Sequence, residues 1–342
     1  MVTIHDVARR AGVSASTVSH VVNGTRFVSL GTRARVRQAI GALGYRPNGL
    51  ARSLRRGQSH TLGLVLPDSA NPFFAEMGRE LEMSAFETGF SVVLCNTEND
   101  REKERLYVNV LARNQVDGIL LVAAGDRSDA LRGRVGGGLP LVTLDREASR
   151  PGLDCVIADH FSGGLIATRH LLALGHRRIA CIAGPTGLSS SAQRLAGYRR
   201  AMDEAGARVV GDYVRHGDFH PESGWAAARR LLRSASPPTA IFACNDLMAF
   251  GVLRAADELG RRVPEDLAVV GYDNIELSRY TVPALTTVAQ PKREMAREAL
   301  RLMTRRIGAL ALEPQKRRLP VTLVVRQTCG GARAAPKGPE GR

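Results

Sequence analysis

The sequence is poor in aromatic residues, which make up 5% of it with a single tryptophan, and contains no apolar run of the roughly 18 residues a membrane-spanning helix needs. Cysteine is also scarce. Cys95, Cys155, Cys181, Cys244 and Cys329 are odd in number, scattered, and in no C-x-x-C or metal-ligand spacing. A disulfide framework is therefore not expected; the pattern suits buried thiols in a reducing cytoplasm. The N-terminus has no signal-peptide core, and the eight histidines show no metal spacing. No G-x-x-x-x-G-K-[ST] loop occurs, and Gly136-Gly137-Gly138 lacks the spacing and strand-turn-helix context of a phosphate cradle. No nucleophile with a positioned base stands out. These absences argue against an enzyme, a cofactor, a metal and a membrane partner, and point to a soluble, cytoplasmic protein.

Acid is missing from one place in particular. Residues 1 to 60 hold ten arginines against one carboxylate, Asp6, so nine of the net +15 charges lie in under a fifth of the chain. A basic segment joined to a near-neutral remainder indicates a polyanionic partner, most simply nucleic acid. At 342 residues the chain has room for two to three domains with a packed core.

Thr3 and Asp6 form a capping-box start, followed by Ile4, Val7, Ala8 and Ala11 at helical spacing. Gly12-Val13 turns the chain, and Ser14 caps a second helix from Ala15 to Asn23, with Val18, Val21 and Val22 inward. A third helix is expected from about Thr32 to Leu43, burying Val36, Ile40 and Leu43. Three short helices with a glycine in the first turn form a helix-turn-helix pattern, whose second helix enters the major groove of DNA.

Pro47 to Arg56 is expected to be a conditional helix. Asn48 is its cap, Leu50 and Leu54 share one face, Arg52, Arg55 and Arg56 supply charge, and Gly57 ends it. It is shorter than the roughly 12 to 15 residues an isolated helix needs in water, and Gly49 costs it about 1 kcal/mol against alanine. Such a helix should fold only against DNA and a second copy of itself.

Beyond His60 short apolar runs alternate with amphipathic stretches. Leu62 to Leu66, Ser91 to Cys95, Gly118 to Val122, Pro140 to Leu144 and Cys155 to Ala158 read as buried strands, with helices at Phe73 to Thr88 and Arg101 to Arg113. The rhythm then restarts, with strands at Ile179 to Ala183, Ala240 to Ala243 and Ala268 to Gly271. Its helices are Phe161 to Ala173, Ala192 to Glu204, Pro221 to Leu232 and Leu247 to Leu259. Strand-helix alternation with apolar strands implies an α/β fold of two parallel-sheet lobes, with ligand beyond the carboxyl ends of the strands. At those ends stand Asn71, Phe73, Phe74, Asp145, Arg146, Arg194, Phe219, Asn245, Asp273 and Gln290. Carboxylates, amides and guanidinium groups beside phenyl rings suit a sugar, whose hydroxyls both donate and accept while its ring faces are apolar. Leu319 to Val325 reads as a last strand, and residues 331–342 as a disordered tail.

Thr3-Ile4-His5-Asp6-Val7-Ala8, Val13-Ser14-Ala15-Ser16-Thr17-Val18-Ser19 and Tyr45-Arg46-Pro47-Asn48 resemble the signature of the lactose and galactose repressor family of bacterial transcription factors. The resemblance runs from residue 2 to about 330. It implies a helix-turn-helix domain over 1–46, a hinge helix and linker over 47–60, and a periplasmic-binding-protein-like core over 61–330. Within the core, one lobe would take 61–160 and 291–318, the other 161–290 and 319–330. By the same resemblance Ala15, Ser16 and His20 would face base edges, while Thr3, Ser14, Thr17, Ser19, Asn23, Thr25, Arg26 and Thr32 would grip the backbone. Leu54 would wedge into the minor groove with Arg55 beside it.

The ten strand-end residues look like the pocket of periplasmic ribose-binding proteins, and Cys95-Asn96-Thr97-Glu98 resembles ribose-type repressors. Gly217-Asp218-Phe219-His220-Pro221-Glu222-Ser223-Gly224 is instead similar to purine repressors, although Leu188 stands where those carry an arginine for the base. The expected effector is ribose or a related pentose. The alternative is a regulator answering to another sugar, a nucleoside or a purine, as a corepressor-dependent repressor or an activator. No leucine heptad follows the core, so a homodimer on a pseudo-palindromic operator is expected.

Overall fold

The computed structural model describes residues 2–45, 58–125, 138–146, 152–309 and 312–330. The stretch from Pro47 to Arg56, with Leu54 and Arg55, lies outside the described residues, as do Gly136, Gly137 and the 331–342 tail. The chain divides into two units, Met1–His60 and Thr61–Arg342.

In the first unit α1 (Ile4–Ala11), α2 (Ala15–Asn23) and α3 (Leu30–Leu43) close around Val7, Val18 and Val36, all without solvent exposure. The capping box of Thr3 and Asp6 is formed in full. Gly12 ends α1 at φ 64°, a left-handed backbone that glycine adopts without a Cβ clash, and so α2 starts within three residues. The third helix begins two residues earlier than the expected Thr32, because the Ser29 hydroxyl accepts from the Thr32 amide at 3.4 Å and caps it there. Val21, Val22, Ile40 and Leu43 are half-buried around this small core.

The second unit holds two six-stranded sheets. The first runs β11-β5-β4-β3-β1-β2, with β1 (Thr61–Leu66), β2 (Ser91–Asn96), β3 (Gly118–Leu121), β4 (Leu141–Leu144), β5 (Asp154–Ala158) and β11 (Lys316–Leu319), all parallel. The side chains of β1 alternate between two buried faces. Leu62, Leu64 and Leu66 pack on α4 (Pro72–Glu87) and α10 (Lys292–Gly308), while Val65 packs against Val108 and Leu111 of α5 (Arg101–Arg113). The second sheet runs β12-β10-β9-β8-β6-β7, with β6 (Ile179–Ala183), β7 (Val214–His216), β8 (Ala240–Ala243), β9 (Ala268–Asp273), β10 (Thr286–Ala289) and β12 (Thr322–Val324). It is covered by α6 (His160–Ala173), α7 (Ser189–Glu204), α8 (Pro221–Leu232) and α9 (Asp246–Glu258). Only β12 is antiparallel to its neighbour among the described strands.

Two strand readings are corrected. Leu319 to Val325 is not one strand: β11 joins the first sheet and β12 the second, with Pro320 between them lacking an amide to continue either ladder. The strand read as buried at Ser91 to Cys95 is an edge, with Val93 46% and Leu94 51% exposed, because β2 pairs with β1 alone. Four further elements go beyond the rhythm read from the sequence: β7, β10, β11 and α10. The chain passes between sheets at 158–160, 289–292 and 319–322, so those short links join the lobes.

Candidate DNA interface and effector site

On α2, Ser16, Ser19, His20 and Asn23 fall on the helix face away from the buried Val18, with Ala15 at its border. Ser14 Oγ accepts from the Thr17 amide at 3.1 Å and lies 2.7 Å from Ser16 Oγ and 2.9 Å from Thr17 Oγ1, a hydroxyl cluster at the N-terminus of α2. Helix ends of this kind attract anions. His20 Nδ1 is 2.8 Å from Thr25 Oγ1, and Asn23 Nδ2 donates to the Ser19 carbonyl at 2.8 Å, which fixes the exit of α2. Ser16, Thr25 and Arg26 are exposed; Ala15 is half-buried against the core, and Thr3 and Thr32 serve in caps. Ser29, a cap not singled out by sequence reasoning, is signalled by its place three residues before Thr32.

In the core unit the ten strand-end residues form two groups. Asn71 caps α4 by accepting from the Phe73 amide at 3.0 Å and meets the others through that first turn. The Phe73 and Phe74 rings meet edge to face at 5.1 Å. The Arg146 guanidinium lies 5.7 Å from the Phe74 ring centre, donates to the Ala123 carbonyl at 2.7 Å, and stands 4.0 Å from Asp145. In the second group Arg194, on α7, lies 3.5 Å from Asp273 and 5.9 Å from the Phe219 ring centre, and donates to the Cys244 carbonyl at 2.5 Å. Gln290 Nε2 donates to Asp273 Oδ1 at 2.8 Å. Asn245 is spent within the protein: it caps α9 and donates to the Phe219 carbonyl, so it positions the ring.

Sequence reasoning missed three residues that tie these groups together. His160 lies between Asp145, Arg194 and Tyr272; Tyr272 stacks on Arg194 at 3.8 Å from its ring centre; Lys292 donates to the carbonyls of Asp273 and Asn274 and pairs with Glu76 at 2.8 Å. Their signal was available, since His160 follows the end of β5 and Tyr272 precedes Asp273 at the end of β9.

Asp145, Phe219 and Asp273 have φ of 61°, 70° and 106°, left-handed backbone that costs a non-glycine residue on the order of 1 kcal/mol or more and gathers at binding sites. Burial raises the Asp273 carboxyl to about 6 against the opposing Arg194 charge and the Gln290 bond. Burial, helped by Arg194, lowers His160 to about 4. Asp145 Oδ1 and Gln290 Oε1 are buried without a hydrogen-bond partner among the described residues. Leaving a buried acceptor unsatisfied costs about 1 to 3 kcal/mol. A ligand bringing O–H or N–H donors would repair both. Leu188, at the start of α7, is buried and apolar.

A three-helix DNA reader followed by two parallel sheets with a buried polar cluster at their carboxyl ends is the build of a ligand-responsive transcriptional regulator. Residues 3–48 match the bacterial regulatory proteins of the lacI family, and residues 168–329 match the periplasmic binding protein-like domain. The HTH-type transcriptional repressor PurR of Proteus mirabilis is 44% identical over 310 residues, 90% of this chain and 91% of that protein. The Lac repressor dimer bound to operator and the anti-inducer ONPF superposes with a TM-score of 0.87 at 32% identity, covering 96% of this chain and 99% of that one. A putative ribose operon repressor from Burkholderia thailandensis gives 0.72 at 32%, covering 78% and 99%. The chain belongs to the lacI family. It is a DNA-binding, ligand-responsive repressor and not an enzyme.

Proposed function

We propose that this repressor binds a purine base or purine nucleoside as corepressor, in place of the ribose-class inducer that the sequence favours. Two supports point this way. Relatives at 40 to 44% identity over nine-tenths or more of the chain are purine repressors by name. The site itself gathers Phe73, Phe74 and Phe219 in the same cluster as Asp145 Oδ1 and Gln290 Oε1, two buried acceptors with no hydrogen-bond partner among the described residues, and those acceptors are the observation that carries ligand binding. Ring N–H groups suit them, and a planar base suits the aromatic faces. With Leu188 apolar, the base is read without a cation there. The sugar reading keeps one specific support, Arg146 buried between Asp145 and Phe74 as in the ribose-binding pattern.

On DNA, α2 would read bases through Ala15, Ser16 and His20, with the remaining named hydroxyls and Arg26 on phosphates and Leu54 as wedge, in a cytoplasmic dimer. Apolar side chains at the β2 edge of the first sheet support dimerisation: Phe86 of α4 is 76% exposed, with Met83, Val93, Leu94, Leu106 and Val110 also open. No helix among the described residues is long and apolar enough to cross a membrane.

A thermal-shift panel of purine bases, nucleosides, pentoses and hexoses on the full chain tests the effector. Saturation near 100 times Kd adds about 2.7 kcal/mol, or several degrees. A purine or purine nucleoside should raise the melting temperature while ribose does not; a shift with ribose alone transfers the assignment to the sugar reading.

A further inference from the structure

His160 is the first residue of α6, where the chain has just crossed from β5 of the first sheet. Its Nε2 lies 3.1 Å from the Asp145 carbonyl oxygen, at the end of β4. A carbonyl only accepts, so Nε2 carries the proton. In a neutral ring Nδ1 is then an acceptor, and its neighbours are donors: Tyr272 Oη at 3.3 Å and Arg194 Nε at 3.4 Å, both from the second lobe. The first turns of α6 are shaped for this meeting. A Cβ on Gly163 would lie 2.4 Å from Tyr272 Oη, and one on Gly164 would lie 2.0 Å from the Arg194 carbonyl oxygen.

We propose that His160 is a positioning residue of the effector site: a neutral imidazole, protonated on Nε2, that holds Asp145 of one lobe in register with Arg194 and Tyr272 of the other. This rests on the reading of the strand-end cluster as the effector site. Neither His160 nitrogen is left to serve as a ligand contact, so it acts through the groups it holds. The charged and titratable groups facing the ring are Asp145 just after β4, Asp159 beside it, Arg194 from α7 and Tyr272 from β9. A second proton, on Nδ1, would point at the Arg194 guanidinium and break the bridge. Burial and that same cation keep the proton off at neutral pH.

The test has two arms. In the full chain labelled with 15N-histidine, one of the eight imidazoles should show the neutral Nε2–H tautomer, unchanged from pH 8 to 5, absent in His160→Asn, and titrating higher in Arg194→Gln. A His160 signal that titrates near 6.5, shows the Nδ1–H tautomer, or ignores Arg194→Gln overturns the proposal. In calorimetry with guanosine and with ribose as probes, His160→Leu should weaken tenfold or more whichever probe the wild type binds. His160→Asn, which keeps an acceptor near the Nδ1 position, should recover most of that loss. Equal affinity in a folded His160→Leu protein, or no recovery in His160→Asn, contradicts it. If the wild type binds neither probe, guanosine and ribose are removed as effectors, while the tautomer and the Arg194→Gln response still decide whether His160 bridges the lobes.

Discussion

His160 and Asp273 share one buried cluster, yet burial moves them in opposite senses across the same pH window. For His160 the folded value, about 4, lies below the ordinary 6.5, so the unfolded chain takes the proton first. Its contribution to stability is complete above 6.5 and is lost as pH falls towards 4. Asp273, at about 6 against an ordinary 3.8, takes its proton first in the folded state; its contribution is complete below 3.8 and is lost as pH rises through 6. The two partly cancel in the wild type. We expect His160→Asn to melt with a shallower loss of stability from pH 7 to 5, and Asp273→Asn with a steeper one, each by up to about 3 kcal/mol across the full window. Melting curves at pH 5, 6 and 7 decide, and parallel pH dependence in all three proteins would contradict the assignment. At this scale the candidate cluster was legible at Asp145 and Asp273, which stand at the ends of β4 and β9, and at Arg194 of the helix that follows β6. His160 and Tyr272 also stand at strand ends, but their roles come from contacts between lobes, which position along the chain does not display.

Helices α6 and α7 meet backbone to backbone. Gly164 lies against the Arg194 carbonyl, and a Cβ on Gly197 would lie 2.2 Å from the Phe161 carbonyl oxygen. Gly164→Ala should therefore cost about 1 to 3 kcal/mol and displace Arg194, weakening the effector as well as the fold; denaturant titration and calorimetry measure the two losses. A fully stable Gly164→Ala protein would mean that the helices can separate freely. The proposed hinge stretch, Pro47 to Arg56, allows a second test at this scale. Gly49→Ala favours a helix by about 1 kcal/mol, so operator binding should tighten and respond less to effector in an anisotropy titration. Eight strands were legible in the sequence, β1 to β6, β8 and β9: seven of them are covered on both faces and must be apolar throughout, while β2 was read as a strand but wrongly as a buried one. Edge strands escape that constraint. β11 reads Lys-Arg-Arg-Leu, and its charges keep an open edge soluble while hiding it from any hydrophobic reading. β7 has three residues, too few to show a period.

The whole molecule joins a strongly basic reader to a core of lower charge density. Steep salt dependence of DNA binding should follow from the first unit, and dimerisation from the core. Phe86→Glu combined with Leu94→Lys should leave folded monomers in sedimentation at micromolar concentration, with operator affinity at least tenfold weaker. An unchanged dimer would move the interface elsewhere. The central claim is that an effector held at the strand-end cluster sets operator affinity, and coupling of this kind spans about 5- to 150-fold. Its most direct measurement is the Kd of the full chain for a duplex selected from a random pool, titrated by anisotropy with and without saturating guanine, guanosine or ribose. The account predicts operator binding at least tenfold tighter with a purine compound and unchanged with ribose. Binding that ignores both purine compounds while ribose weakens it would contradict it.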